Sequence, residues 1–231
     1  MFNGKLKAVT FSYDDGVTQD KRLIDIFNKY DLKATFNINS ELLGNENDIN
    51  VNGRTVSHTK NKANDVKQIY LGHEVAVHTL THPLLTELEK NEIIRQVEQD
   101  RINLSNLVEY EVVGMAYPCG GINNNEYVAD VIKQNTSVKY VRTISSAYSF
   151  DKQTNLFRFN PTVSHLEWDK MFELADRFIN MNTDIHQVFY IWGHSYELDA
   201  YEAWDRLEEF CRLISGRNDI HYGTNRDILL E

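Results

Sequence analysis

The chain has 231 residues, a formal net charge of −10 and an aromatic fraction of 11%. This composition excludes a disordered chain. The acidic balance argues against nucleic acid as the main partner, because phosphate binding needs a basic surface. No stretch approaches the ~20 apolar residues of a membrane span.

The two cysteines, Cys119 and Cys211, are far apart in sequence. Two free thiols in a reducing compartment are favoured over a single disulfide. The first residues lack the apolar core of a signal peptide, which predicts a cytoplasmic protein. A secreted protein whose signal has been trimmed is the alternative.

Strand-like and helix-like segments alternate about seven times along the chain. Strands are predicted at 6–13, 33–38, 74–77, 111–117, 139–143, 156–159 and 188–192. Helices are predicted at 20–30, from a capping box at 86–89 onward, and at 123–134, 168–180 and 200–214. This alternation predicts an α/β fold with a parallel sheet, and the number of units favours a distorted (β/α)7-type barrel over an open sheet.

We interpret residues 1–231 as one catalytic domain. The stretch 44–67 turns polar and rich in asparagine, and no separate core follows it at once. It is therefore predicted to be an insertion or a long loop over one rim of the barrel.

The stretch Ser12-Tyr13-Asp14-Asp15-Gly16 stands at the end of the first predicted strand. Neighbouring strand residues point to opposite faces, but the chain turns here, and the glycine lets both carboxylates address one cavity. Two carboxylates this close repel each other unless a cation or basic groups lie between them. The pattern therefore predicts a metal site or a buried charge network.

Three histidines also follow predicted strands. His78 and His82 are four residues apart after the strand at 74–77, and His194 follows the apolar strand at 188–192. Functional residues of such barrels gather at the carboxyl ends of the strands. Two neutral imidazoles and one carboxylate form a familiar ligand set for a hydrolytic metal, most plausibly zinc.

These motifs resemble those of the polysaccharide deacetylases with a NodB-homology domain (carbohydrate esterase family 4). The family's T/S-F-D-D-G motif is matched by residues 12–16, with Tyr13 in place of phenylalanine. Its H-S/T-x-x-H motif is matched by His78-Thr79-Leu80-Thr81-His82. The resemblance extends from the first strand to His194, which is most of the chain.

The resemblance implies that Asp15, His78 and His82 hold a divalent metal and that Asp14 is the general base. Zn²⁺ is the first expectation, with Co²⁺, Ni²⁺ or Mn²⁺ as alternatives. His194 occupies the place of the family's general acid, and its other interpretation is a strand-end histidine that holds a loop.

The family's R-x-P-Y motif is only partly present, because Ala116 occupies the arginine's place in Ala116-Tyr117-Pro118-Cys119-Gly120. Tyr117 and the backbone N–H of Cys119 are expected to line the oxyanion and substrate site. The Cys119 thiol is either a further ligand or, as we favour, a packed side chain. Trp168 is expected either to wall the acetyl pocket or stack on a sugar, or else to pack in the core.

The resemblance thus implies a metal-dependent hydrolase that removes acetyl groups, most plausibly N-acetyl groups, from an acetylated carbohydrate. One alternative keeps the metal enzyme but gives it a non-sugar amide or a lipid-linked sugar as substrate. A second alternative is a catalytically silent carbohydrate-binding domain. The remaining histidines are assigned no role: His58, His73, His165, His186 and His221.

Overall fold

The computed structural model describes residues 2–230, in which strands and helices alternate. The strands are β1 (Lys7–Asp14), β2 (Ala34–Ile38), β3 (Asp48–Val51), β4 (Arg54–Ser57), β5 (Glu74–Val77), β6 (Gly114–Ala116), β7 (Tyr140–Arg142), β8 (Val163–Ser164), β9 (Gln187–Gly193) and β10 (Ile220–Tyr222). The helices are α1 (Asp20–Lys29), α2 (Val66–Ile69), α3 (Lys90–Ile94), α4 (Asp100–Val108), α5 (Glu126–Asn135), α6 (Trp168–Asn180), α7 (Ser195–Ala200), α8 (Trp204–Ile214) and α9 (Asn225–Leu229). A π-helical turn, Arg95–Gln99, joins α3 to α4.

Seven strands form a parallel sheet in the order β7-β6-β5-β2-β1-β9-β8, and β10 pairs with the start of β1. The sheet curls into a half-barrel with helices packed on it, which confirms the predicted α/β class and distorted (β/α)7-type barrel. Phe159 pairs with the free edge of β7 as an isolated bridge: its N–H donates to Val141 O, and its carbonyl accepts from Thr143 N. The predicted strand at 156–159 is otherwise wrong, because Asn155 caps a 3₁₀ turn there.

The side chains of β1 alternate between two environments, and all eight of its residues are buried. Phe11 packs on Phe27 of α1 and Phe210 of α8, so one face of the strand contacts the helices. The other face points into the barrel, where Thr10 and Ser12 take part in side-chain hydrogen bonds. The barrel interior is therefore partly polar, and the polar side chains on this face of β1 continue to Asp14 at its end.

The polar stretch 44–67 contains the β3–β4 hairpin, whose strands pair antiparallel. Asn52 and Gly53 form its turn with φ values of 50° and 85°, the left-handed conformation that tight hairpin turns use. Arg54 donates a hydrogen bond to the carbonyl of Ala200, and Lys60 pairs with Val17 across an antiparallel bridge. The hairpin is thus docked beside the end of β1.

Two further observations concern membrane-spanning helices and the two cysteines. Within residues 2–230, no helix has the length and apolar character needed to cross a bilayer. Cys119 is half-buried and Cys211 is fully buried, and both are free thiols.

We predict that Gly114→Ala destabilises the barrel. A Cβ at this position would lie 2.0 Å from the hydroxyl oxygen of Tyr140, which donates to the buried Glu74. Overpacking of this kind costs about 1–3 kcal/mol. Urea unfolding measures the free energy of unfolding. Gly120→Ala is the matched control because a Cβ there meets nothing within 4 Å, and equal stabilities of the two variants would contradict the prediction.

Candidate metal centre and active site

The predicted chemical groups meet in one cavity of about 220 Å³ at the carboxyl ends of the strands. Asp14 and Asp15 reach it from the end of β1, His78 and His82 from the segment after β5, and His194 from the residue after β9. Tyr117 and Cys119 also line it, whereas Trp168 does not.

Four non-glycine residues of this region adopt left-handed backbone conformations. Their φ values are 84° for Asp15, 69° for Thr79, 62° for His82 and 67° for Cys119. Such conformations cost about 1–3 kcal/mol each and persist only where the surrounding structure fixes them. The left-handed turn at Asp15 is what brings its carboxylate to the same cavity as that of Asp14.

The segment between His78 and His82 is held by buried side-chain amides. The Asn39 amide donates to the carbonyls of His78 and Thr79, and Thr79 Oγ1 accepts from the His82 N–H at 3.1 Å. Gln96, in the π-helical turn, accepts from Leu80 N through its carbonyl and exchanges hydrogen bonds with Thr81 through its side chain. These contacts fix both histidines relative to β5.

Asp15, His78 and His82 form a cluster that could hold a metal ion, with donor atoms all within 4.8 Å of one another. Asp15 Oδ1 lies 4.0 Å from His78 Nε2 and 3.7 Å from His82 Nε2. His78 Nδ1 lies 2.9 Å from the Ala116 carbonyl, so Nδ1 carries the hydrogen and Nε2 offers its lone pair to the cluster. Burial lowers the pKa of His78 to about 4, so this imidazole is neutral at pH 7.

Asp15 also contacts two side chains from the residues that directly follow the β3–β4 hairpin. His58 Nε2 lies 3.2 Å from Oδ2, and the Lys60 ammonium lies 3.2 Å from Oδ1 and donates to the Asp15 carbonyl at 2.8 Å. Burial alone would raise the pKa of Asp15, but the His58 hydrogen bond and the Lys60 charge outweigh it and hold that pKa well below its usual value. Asp15 is therefore a carboxylate.

Asp14 is paired with a fully buried arginine. The Arg142 guanidinium, from β7, donates to Asp14 Oδ2, and Asn37 Nδ2 donates to Oδ1 at 2.8 Å. Burial acts to raise the pKa of Asp14, but the Arg142 charge prevails and the pKa is lowered. Arg142 thus supplies the charge that the sequence motif lacks at Ala116.

His194 faces Asp14 across the cavity, with Nε2 3.9 Å from Asp14 Oδ2. Its Nδ1 lies 3.2 Å from Glu197 Oε2, which also accepts from the His194 backbone N–H at 3.1 Å. Burial acts to lower the pKa of His194, but the Glu197 carboxylate outweighs it and raises that pKa to about 9. His194 is therefore protonated at neutral pH.

A second histidine shares the same carboxylate. His165 Nε2 donates to Glu197 Oε2 at 2.8 Å, so His165 Nδ1 can accept from the Tyr13 hydroxyl at 3.2 Å. His165 is completely buried. The series of side-chain contacts Tyr13–His165–Glu197–His194 runs from the core to the cavity and fixes the orientation of Glu197.

Tyr117 and Cys119 present different groups to the cavity. The Tyr117 hydroxyl donates to the Phe157 carbonyl at 2.8 Å, so the tyrosine contributes a wall rather than a free donor. The Cys119 N–H points at His82 Nε2 from 3.5 Å and is thus aimed into the site. The Cys119 thiol lies 3.4 Å from the His82 carbonyl, outside the three-residue cluster, and burial raises its pKa.

The expectation that Trp168 walls the pocket is wrong. Its ring stacks on His165 at 5.7 Å, and the Arg206 guanidinium covers it at 5.4 Å. The tryptophan in the cavity wall is Trp192, the penultimate residue of β9, and the Arg142 guanidinium lies 4.5 Å from its ring centroid. Trp168 is the first residue of α6, whose apolar side packs on the sheet, and its ring therefore lies against His165 and not in the cavity.

Sequence reasoning missed Arg142, Glu197, His58 and Lys60. Glu197 carried a detectable signal, because it stands three residues after His194, the spacing of a capping box. Arg142 carried a weaker one, since an arginine at the end of a buried strand needs a carboxylate partner. His58 and Lys60 lie in a polar stretch where nothing in the sequence separates them from surface residues.

A parallel barrel with a carboxylate–histidine cluster at the carboxyl ends of its strands is an architecture of hydrolytic enzymes. A family model described as polysaccharide deacetylase matches residues 3–138, more than half of the chain. The chain belongs to the polysaccharide deacetylase family.

Individual relatives are more distant. The chain is 31% identical over 126 residues to a bifunctional xylanase/deacetylase of Pseudobutyrivibrio xylanivorans, an alignment that covers 54% of this chain but only 18% of that protein. Among solved structures, BA3943 from Bacillus anthracis, a CE4 family pseudoenzyme, is 17% identical with a TM-score of 0.60, covering 96% of this chain and 65% of that one. The peptidoglycan deacetylase PdaC from Bacillus subtilis is 17% identical with a TM-score of 0.54, covering 97% and 90%. At these identities the structural likeness shows the shared fold.

We predict that Arg142→Met lowers the free energy of unfolding by about 3–5 kcal/mol at pH 7, because it leaves the Asp14 charge buried without its partner. The loss should be smaller in an Asp14→Asn background. It should also shrink as acid protonates Asp14, since a lowered pKa stabilises the fold only while the group is ionised.

Denaturant unfolding of the two single variants and the double variant measures the coupling between these residues. Arg158→Met is the matched control, because Arg158 is a partly exposed arginine paired with Glu126. Additive losses in the double variant would contradict a direct Asp14–Arg142 interaction.

Proposed function

We propose that this protein is a metal-dependent deacetylase that hydrolyses acetyl groups, N-acetyl first, on a carbohydrate and releases acetate. One observation carries the proposal: a cluster of Asp15, His78 and His82 lies beside an ionised carboxylate and a protonated histidine. Membership of the polysaccharide deacetylase family supports the substrate class.

The donor set fits a divalent ion, with zinc as the first candidate. It offers one carboxylate oxygen and two imidazole nitrogens, and His78 is oriented by the Ala116 carbonyl in the way that metal-bound histidines usually are. A bound zinc would lower the pKa of water and polarise a carbonyl oxygen. The other steps fall to side chains and backbone groups of this chain.

Asp14 is suited to be the general base. Arg142 and Asn37 hold both of its oxygens and keep it ionised, so it can accept the proton of the attacking water. The water oxygen then forms a bond to the acetyl carbonyl carbon. The Cys119 N–H, which points at His82 Nε2 in the metal-free site, is our candidate donor to the oxyanion that this addition creates, once that nitrogen is a metal ligand.

His194 is suited to be the general acid. It is protonated at neutral pH and lies across the cavity from Asp14. When the carbon–nitrogen bond breaks, His194 gives its proton to the nitrogen, and the products are acetate and a free amine. Glu197 stabilises the charged imidazole before that transfer.

A second cavity, of about 560 Å³, adjoins the first and shares Asp15, His82 and Tyr196 with it. Its walls combine apolar and aromatic side chains with amide and carboxylate groups. The apolar and aromatic side chains are Leu42, Ile49 and Tyr196, and the amides and the carboxylate are those of Asn45, Asn47 and Glu46. Amides and carboxylates can bind sugar hydroxyls, and apolar rings can contact sugar faces. We therefore place the acetyl group in the smaller cavity and the rest of the glycan in this larger one.

The first test is acetate release from acetylated sugars, chitooligosaccharides and non-sugar amides, using chelator-stripped protein with and without Zn²⁺. We expect release from a glycan only with metal, and a loss of about 10²-fold or more in Asp14→Asn because the base is removed. Asp25→Asn, an exposed carboxylate on α1, should retain full activity.

Each outcome of this test separates the alternatives. Stoichiometric metal binding with cleavage confined to a non-sugar amide would replace the carbohydrate assignment. Metal binding with every substrate left intact would favour the silent binding domain. Failure to bind metal at all would refute the roles given to Asp15, His78 and His82.

The Glu197 carboxylate should set the alkaline limit of activity. His194 must be protonated to act, so kcat/KM should fall as the pH rises through about 9. In Glu197→Gln this limb should move down toward the ordinary histidine value of 6.5, because the charge that raises the pKa is gone. A pH–rate profile measures the shift, Glu209→Gln on the exposed face of α8 is the control, and an unmoved limb would exclude this role for Glu197.

A further inference from the structure

Asp15 Oδ1 has an ammonium group beside it as well as two imidazoles. Lys60 Nζ lies 3.2 Å from this oxygen, closer than either His78 Nε2 at 4.0 Å or His82 Nε2 at 3.7 Å. The same ammonium donates to the Asp15 carbonyl at 2.8 Å. The oxygen that faces the two candidate imidazole ligands is therefore already paired with a cation of this chain.

The position of Lys60 is fixed by backbone pairing on both sides. Its N–H donates to the carbonyl of Asn45 at 2.9 Å, and the residue pairs with Val17 across an antiparallel bridge. Its side chain is only 4% exposed. The ammonium thus has little freedom to swing out to solvent, unlike the ends of most lysine side chains.

His58 occupies the other oxygen of the same carboxylate. His58 Nε2 lies 3.2 Å from Asp15 Oδ2, and its ring packs edge-on against Tyr196 at 5.0 Å. Asp15 consequently presents one oxygen, Oδ1, to His78 and His82. An ion bound by these three residues would share that oxygen with the Lys60 ammonium.

Two cations near one buried oxygen repel each other strongly, because the protein interior screens charge poorly. When no ion is bound, the Lys60 ammonium compensates the Asp15 charge and removes the cost of an unpaired buried carboxylate. When an ion binds, the same ammonium opposes it. Lys60 therefore stabilises the metal-free site and destabilises the metal-loaded site.

We propose that Lys60 is a built-in counter-cation of the candidate metal centre, which weakens divalent metal binding and preserves the fold of the metal-free protein. Lys60 lies three residues after the end of β4 and acts on the centre through Asp15. The inference rests on the metal assignment of the proposed function.

The test measures Zn²⁺ affinity and thermal stability rather than activity. Zn²⁺ is titrated into chelator-stripped protein in competition with a chromophoric chelator, and Tm is recorded with and without Zn²⁺. In Lys60→Met we expect Kd for Zn²⁺ to fall about tenfold or more, because the opposing charge is gone. We also expect a lower Tm without metal and a larger rise in Tm when Zn²⁺ is added.

Two further variants make the test decisive. Lys60→Gln keeps a hydrogen-bond donor for Asp15 without the charge, so it should fold even if Lys60→Met does not, and it should also bind Zn²⁺ more tightly. Lys62→Met removes an exposed lysine two residues away and should leave Kd unchanged.

A Kd for Lys60→Gln equal to or weaker than that of the wild type would overturn the proposal while leaving the metal assignment intact. If neither wild type nor Lys60→Gln binds Zn²⁺, the metal assignment fails and the proposal fails with it. Zinc binding by Lys60→Gln at concentrations where the wild type binds poorly would support the proposal in its strongest form.

Discussion

The neutralisation of two neighbouring buried carboxylates is the constraint on which the active-site region depends. Asp14 and Asp15 are almost inaccessible to solvent, and a buried charge without a partner costs several kcal/mol. Asp14 is compensated from the far side of the sheet: Arg142 belongs to β7, which three strands separate from β1 along the sheet order. An ion pair between such distant strands can form only across the interior of a curled sheet, so this pair depends on the curvature of the barrel.

At His194 a carboxylate compensates a buried cation, which is the reverse of the arrangement at Asp14. Glu197 contacts both His165 and His194. Its charge keeps His194 protonated, and the charge of Arg142 keeps Asp14 ionised. An ionised carboxylate and a protonated imidazole therefore coexist within 3.9 Å. Pairs of groups whose surroundings drive their pKa values apart are how proteins assign a base and an acid at the same pH.

The sequence was sufficient to predict the barrel and the meeting of Asp14, Asp15, His78, His82 and His194, because strand ends are visible in the apolar pattern and parallel strands bring their ends together. The sequence was insufficient to predict the residues that pair with these side chains. Arg142 lies 128 residues from Asp14, and Lys60 lies 45 residues from Asp15, so neither contact leaves a local periodicity. Trp168 was misplaced because a helix-start aromatic can face a cavity or the core, and only packing against His165 decides which.

The left-handed residues of the site have a consequence for how the chain can change over time. Asp15, Thr79, His82 and Cys119 occupy conformations that glycine or asparagine would adopt with less strain. At His82 such a replacement would relieve backbone strain and at the same time remove a candidate ligand. Mutational drift toward a more stable chain thus runs, at this position, in the same direction as loss of the site. At Asp15 the two effects oppose each other, because losing the carboxylate would leave the buried Lys60 ammonium without its partner.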